Sequence, residues 1–311
     1  MKNKRNHIIN NYIYNIWHLT RRNILIFFQN KTTLVFSMMA PILILIIYIL
    51  FMGKFQINTI RAMLPSEVVV SNKEIAMIAN SWMIAGIIGI SSLTISLNSM
   101  FVAISDRERG IVDDFTASPV PLVNLTLSYF ISAFIITFVL SFVFLVIALC
   151  YLFFSSGLTF SVLNLFELLG ILLLSSLSAV IFVMCLTAFF KHTSTAASFT
   201  GVYSALIGFL IGAYLPSSIL PLGVQNFANL LPGSHATGLF RVVLMNPIFT
   251  WLSATIPEAT LLEIKNSYGF NLNLFGAELN RTSMYAYLGV SIIVMFVLYQ
   301  LLSLIKRKLK N

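Results

Sequence analysis

The chain has 311 residues, 58% of them hydrophobic and only 9% charged, with a mean hydropathy of +0.92. Soluble domains carry roughly 45–50% apolar and about 25% charged residues, so a soluble domain is excluded and an integral membrane protein is expected. The net charge of +9 sits beside the apolar blocks, which reads as membrane topology and not as a nucleic-acid footprint.

Residues 1–31 come first. In "IINNYIYNIWHLTRRNILIFF", Ile9, Ile13, Ile16 and Trp17 share one helical face, with Asn11, Asn15, His18 and Arg22 on the other. This predicts a helix lying in the cytoplasmic interface, with Trp17, Arg21 and Arg22 at headgroup level. The apolar segment that follows is 22 residues between charges, with no small-residue cleavage pattern after it, and is expected to be a retained span.

A charge at the bilayer centre costs about 2.5–3.5 kcal/mol or more, so charge-free runs mark the spans. Six such runs occur: 32–53, 75–105, 115–166, 168–190, 192–240 and 282–305. About 20 helical residues cross the hydrocarbon core, so each run is long enough. The spans expected are Leu34 to Met52, Ala79 to Ile104, Leu122 to Phe154, Leu165 to Phe190, Thr195 to Leu215 and Met284 to Ile305. The 52-residue run holds one long helix, because Pro119 and Pro121 break its start. Pro216 to Ser283 (residues 216–283) is expected outside as re-entrant or interfacial helices, cut by Pro221, Pro232, Pro247 and Pro257. With both termini inside, 13 of the 19 Lys and Arg are cytoplasmic, which satisfies the positive-inside rule and requires an even number of spans. One membrane domain, 1–311, is expected, with a cytoplasmic interfacial helix at 1–31 and a cytoplasmic loop at 105–121.

Catalytic and metal signatures are missing. His7, His18, His192 and His235 form no ligand-spaced pair, and the Gly53-Lys54 pair lacks the rest of a phosphate-binding loop. Cys150 and Cys185 both lie in expected spans. Glu167 is the one candidate for a charge at membrane depth; its position fits a carboxylate reaching the external interface, or the coupling group of an ion-driven transporter.

Two spans carry small or polar faces. Ser92, Ser96, Asn98 and Ser99 line part of the second; Gly201, Ser204, Gly208 and Gly212 line part of the fifth. Such residues serve close helix packing, a substrate path or a subunit interface.

The loop after the second span, "SDRERGIVDDFTASPV", puts six charges between Asp106 and Asp114. Ser105-x-x-Glu108 has the capping-box pattern, Ile111 and Phe115 give an apolar side, and Pro119 ends the element. A short amphipathic cytoplasmic helix is expected, polar enough to meet a soluble partner, with a solvated loop as the alternative.

These residues resemble the ABC type-2 permeases, the membrane subunits of ATP-driven exporters. "DRERGIVDDFTASP" aligns with their loop E-R-E-K-G-T-L-E-L-L-L-S-T-P, with Ile111 and Asp114 departing from it. "LPGSHATGLFR", Leu231 to Arg241, is similar to the family's P-x-S-[YH] segment. The resemblance implies an all-α membrane protein of six transmembrane helices with a coupling helix. It implies docking on a separate nucleotide-binding ATPase through Asp106, Arg107, Glu108, Arg109, Gly110, Asp113, Phe115 and Pro119, with Arg21 and Arg22 close by. ATP and Mg would bind to that partner and no cofactor to this chain. A second permease copy or a related permease is implied, with the second and fifth spans near the central path.

The reading that follows is a non-catalytic permease subunit in the plasma membrane, exporting an amphiphile such as a drug, lipid-like molecule or peptide toxin. A self-sufficient secondary transporter or channel is the alternative. Membrane lipids are further partners; nucleic acid is not.

Overall fold

In hydrocarbon every backbone N–H and C=O has to be satisfied within its own segment, and long apolar runs therefore fold as helices. A computed structural model of the chain describes residues 2–118 and 120–310, the side chains of 2–11, 116, 156 and 306–310 lying outside that description. In order, the helices are α1 (Lys2–Gln29), α2 (Lys31–Ile47), α3 (Gly53–Met63), α4 (Asn72–Ser99), α5 (Phe101–Glu108), α6 (Ile111–Ala117) and α7 (Leu122–Ser156). After these come α8 (Val162–Leu186), α9 (Thr193–Leu210), α10 (Leu222–Asn229), α11 (Pro232–Leu252), α12 (Glu258–Ser267) and α13 (Arg281–Lys310). A hairpin of β1 (Leu272–Leu274) and β2 (Ala277–Leu279) precedes α13. Phe275 and Gly276 form its two-residue turn, both at positive φ as a type I′ connection requires.

Among the described residues, five helical rods are long and apolar enough to cross a membrane: Lys31–Met63, Asn72–Glu108, Leu122–Ser155, Val162–Leu186 and Arg281–Ile305. They answer to five of the six expected spans, and the chain is a multi-pass membrane protein. The run expected from Thr195 to Leu215 folds as α9, 18 residues long, which is not among the five. The first rod includes a π-helical stretch, Tyr48–Met52, where the Tyr48 hydroxyl donates to Asn80 Oδ1 at 2.9 Å.

The α4 helix is the axis of the bundle. A capping box starts it: the Ser71 N–H donates to Glu74 Oε2 at 2.6 Å and the Glu74 N–H to Ser71 Oγ at 3.3 Å. Every residue from Ile78 to Ser99 is buried, under α2, α7, α8 and α11. Close approach of α11 depends on Gly89, where a Cβ would lie 2.1 Å from Thr237 Oγ1. The α11 helix begins deep in the bundle, with Gly233 against Leu93, and runs unbroken through Pro247, where the sequence suggested a cut. Proline removes one helical hydrogen bond there; packing of Ile248, Phe249 and Leu252 in the core holds the helix across the gap.

The bundle has two ends. At one, called here the loop end, α5, α6, α1 and the turn between α8 and α9 meet. At the other, the hairpin end, α3, the start of α4, α12 and the hairpin form a cap.

Candidate functional site

The rod from Asn72 to Glu108 has 37 residues, about 55 Å of helix against a hydrocarbon core of roughly 30 Å. Part of the rod therefore extends beyond that layer, and Asp106, Arg107 and Glu108 lie in its last turn, at the loop end. The break expected at Ser105 is absent: α5 continues the line of α4, and the Arg109 N–H donates to the Ser105 carbonyl at 3.0 Å. The new helix starts five residues later, at Gly110, which adopts φ 73°. No neighbouring atom crowds that position, so the requirement there is conformational: a side chain would strain the left-handed backbone.

Two charges of the stretch, Asp106 and Arg107, turn inward, and a third, Glu108, is exposed but bonded to a neighbouring helix. Asp106, 4% exposed, accepts two hydrogen bonds from Arg22, at 2.7 and 2.9 Å, and one from the Tyr129 hydroxyl at 2.6 Å. Hydrogen bonding to Asp106 raises the Arg22 guanidinium above its ordinary pKa. The Arg107 Nη1 donates to the carbonyls of Thr187 at 2.9 Å and Phe190 at 3.3 Å, just past the C-terminus of α8. Glu108 Oε2 accepts from the Thr193 N–H at 3.0 Å and its hydroxyl at 2.6 Å, with His192 Nδ1 3.5 Å from Oε1. The partners of Arg107 and Glu108 are the orphan carbonyls and amide that helix ends leave, and each of these two charges has the sign that the adjacent end of α8 or α9 favours. The triplet ties α5 to α1, α7, α8 and α9 at once.

The outward charges follow. Arg109, Asp113 and Asp114 are exposed, as is Arg21 on α1. Val112 and Phe115 turn the other side of α6 against the core. Of the residues named for docking, Arg109 and Asp113 are exposed on either side of Gly110, as is the neighbouring Asp114. Asp106, Arg107 and Arg22 form an internal framework, Glu108 is exposed while it holds Thr193, and Pro119 lies outside the described residues.

The small-residue faces divide likewise. Ser92, Ser96, Asn98 and Ser99 are buried, and their side chains donate back to carbonyls of α4 itself, at Ile88, Leu93, Thr94 and Ser96. On α9, Gly201 is exposed with open space around it, and Ser204 is half-buried. Gly208 is buried where a Cβ would lie 2.3 Å from the Tyr214 ring, and Gly212 adopts φ 70° beside Arg241.

Several residues escaped sequence reasoning. Tyr129 carries no charge and sits in a long apolar run, so nothing local marks it as a ligand of Asp106. Arg241, counted by sequence among external charges, is 1% exposed. Its Nη2 donates to the carbonyls of Ile211 at 3.2 Å and Gly212 at 2.7 Å, closing the end of α9, and its guanidinium lies 5.8 Å from the Trp82 ring. His235 stacks on Tyr287 at 3.8 Å, and Glu167 pairs with Arg281 and accepts from the Tyr285 hydroxyl at 2.9 Å. The Glu167 pair joins the second turn of α8 to the start of α13, which fits the reading of an interfacial carboxylate.

The sequence model of the family described as ABC-2 type transporter matches residues 14–245. No curated protein matches the chain.

Proposed function

The chain belongs to the ABC-2 type transporter family, and from that premise we propose that it is the permease subunit of an exporter driven by a separate ATPase. The observation that carries this reading is the junction of α5 and α6. A seven-residue helix with outward charges is mounted on the central rod of the bundle, and the residues just before it are tied to four other helices. A push on α6 from a soluble partner is thereby delivered to the buried axis and not dissipated in a loop.

The finer topology is part of the proposal. We take α9 as the sixth crossing: its first residue is held by Glu108 at the loop end, and its last turn by Arg241 towards the hairpin end. Eighteen helical residues rise about 27 Å, close to the hydrocarbon thickness. The pair α10 and α11, entering as deep as Leu93, is read as the re-entrant element. The Asp106 end is then cytoplasmic, with both termini there, in the cell membrane. The exposed face of α9 around Gly201 is offered to a second permease copy, where small residues permit close contact. Catalysis, ATP and Mg belong to the partner, and the cargo is an amphiphile suited to apolar helices.

The test is co-expression with the ATPase encoded beside the gene, followed by purification on a tag carried by the permease. Retention of the ATPase, with its hydrolysis stimulated on reconstitution, is the expected result. A folded permease that never retains an ATPase sinks the proposal. Export by the purified chain alone on a proton or sodium gradient, abolished by Glu167→Gln, would install the secondary-transporter reading instead.

A further inference from the structure

Both α7 and α13 pack on α8, and they make no comparable packing with each other. At the loop end this leaves a cavity of about 360 Å³ between them, within the size range of small-molecule sites. Leu125, Phe130, Ile181 and Met184 line it with apolar surface, while Arg107, Tyr129 and Tyr299 bring polar groups to the same space. Thr126 of α7 and Tyr299 of α13 both line it. Val112 and Asp113, both on α6, form part of the wall.

We propose that this cavity holds one acyl chain of a zwitterionic membrane phospholipid, its phosphate towards Arg107 and its ammonium towards Asp113. The choice of occupant rests on the cavity's surroundings. Two of its walls are membrane-crossing helices, and Leu122, Val123 and Phe296 at its edge are exposed apolar residues, so access is from the lipid side. Arg107 stands at the end of the Asn72–Glu108 rod, past the apolar layer, where headgroups lie. Its bonds among the described residues run from Nη1 to carbonyl oxygens and leave the guanidinium's positive charge without an acidic partner; a phosphate supplies one. Asp113 opposes a net anionic headgroup and favours an ammonium beside the phosphate.

A consequence follows for regulation, and it rests on α6 being the coupling helix. A chain seated against Val112 supports α6 from beneath, so lipid occupancy biases the position of the element on which the partner acts.

The experiment uses the full-length chain in vesicles of phosphatidylethanolamine and phosphatidylglycerol, carrying a trace of either lipid with a photoactivatable group on one acyl chain. Labelled residues are mapped by peptide mass spectrometry. The phosphatidylethanolamine probe is expected to label residues 122–130 and 296–303. Leu127→Trp, which fills the cavity without removing a charge, should cut that labelling about tenfold, equivalent to about 1.4 kcal/mol. Val123→Trp at the rim serves the same purpose should Leu127→Trp not fold. Arg107→Gln, which retains amide donors for the Thr187 and Phe190 carbonyls, should reduce the excess of phosphatidylethanolamine over phosphatidylglycerol labelling. Labelling spread evenly over the lipid-facing helices, or unchanged in both cavity-filling variants, overturns the site. Equal labelling by the two probes overturns the headgroup assignment. Displacement of the label by a soluble drug-like amphiphile but not by added phosphatidylethanolamine overturns the lipid occupant. None of these results depends on an ATPase, so failure of the permease reading leaves the lipid site standing and is told apart from it.

Discussion

Asp106 and Arg22 give the sharpest test of the inward framework. Their charge centres lie about 4 Å apart, which corresponds to about 4 kcal/mol at an effective dielectric near 20 and about 1 kcal/mol in water. Asp106 is nearly sealed, with 5% of its side chain exposed, whereas Arg22 retains 30%. The pair therefore falls between a surface ion pair, worth less than about 1 kcal/mol, and a buried one whose rupture costs about 3–5 kcal/mol. We expect Asp106→Asn and Arg22→Gln each to destabilise by about 2–3 kcal/mol, and the double variant by scarcely more than either, a coupling of about 2 kcal/mol. For a chain of 311 residues that coupling corresponds to about 3 °C of non-additivity in the thermal midpoint. The midpoint should be read by circular dichroism in one detergent at one scan rate, since membrane bundles unfold irreversibly and scan rate shifts the value. Additive single effects, within about 0.5 kcal/mol, would refute the claim that the two side chains act as a unit.

Arg109→Glu or Asp114→Lys should reduce ATPase retention without moving the thermal midpoint, whereas Glu108→Gln should leave retention intact and lower the midpoint, because Glu108 holds the start of α9 and not a partner. Gly110→Ala should cost about 1 kcal/mol from its left-handed backbone, and Gly110→Asn, which tolerates that conformation better, should recover part of the loss in the same melt. Gly208→Ala should destabilise the isolated chain by about 1–3 kcal/mol through overpacking against Tyr214, while Gly201→Ala should leave its stability unchanged; a cross-linking assay for paired copies is where Gly201→Leu should register instead. Glu167→Gln should lower stability by no more than about 1 kcal/mol and leave ATP-driven transport intact, measured in vesicles without an ion gradient.

Much of the architecture was legible because bilayers impose simple rules. Long runs free of charge gave five of the rods, and Pro119 and Pro121 correctly kept residues 122–156 to one helix. Local chemistry failed where partners are remote. Asp106 lies 84 residues from Arg22 and Glu108 lies 85 from Thr193, so nothing in "SDRERG" discloses that its first three charges are bonded to other helices of the fold. The Ser105-x-x-Glu108 pattern suggested a cap, but the helix entering from α4 already supplied the backbone partners that a capping box would provide, and Glu108 was left to serve α9. Pro247 suggested a cut because sequence does not reveal how well the surrounding core sustains a helix across one missing bond. Arg241 looked external because a lone arginine is normally hydrated; the carbonyls ending α9 and the Trp82 ring substitute for water.

The division of the charged stretch bears on how motion can pass through it. Were Asp106, Arg107 and Glu108 solvated, α6 could swing on Gly110 and its displacement would die out in the last turn of α5. Instead those three residues join the end of the rod to α1, α7 and the turn between α8 and α9, so any force crossing Gly110 meets a junction of five helices. The bonds around Asp106 are short and the groups that make them partly or wholly buried, so bending there means breaking charge-assisted hydrogen bonds, each worth about 1.5–3 kcal/mol. Moving the whole junction as a body breaks none of them. Rigid displacement of the α4–α5 rod together with α1 and the start of α9 is therefore the cheaper response, and Gly110 is the point where rotation is absorbed. The charge density of the stretch thus has two origins: Asp106, Arg107 and Glu108 bind other helices of the fold, and Arg109 and Asp114 are what a partner would grip.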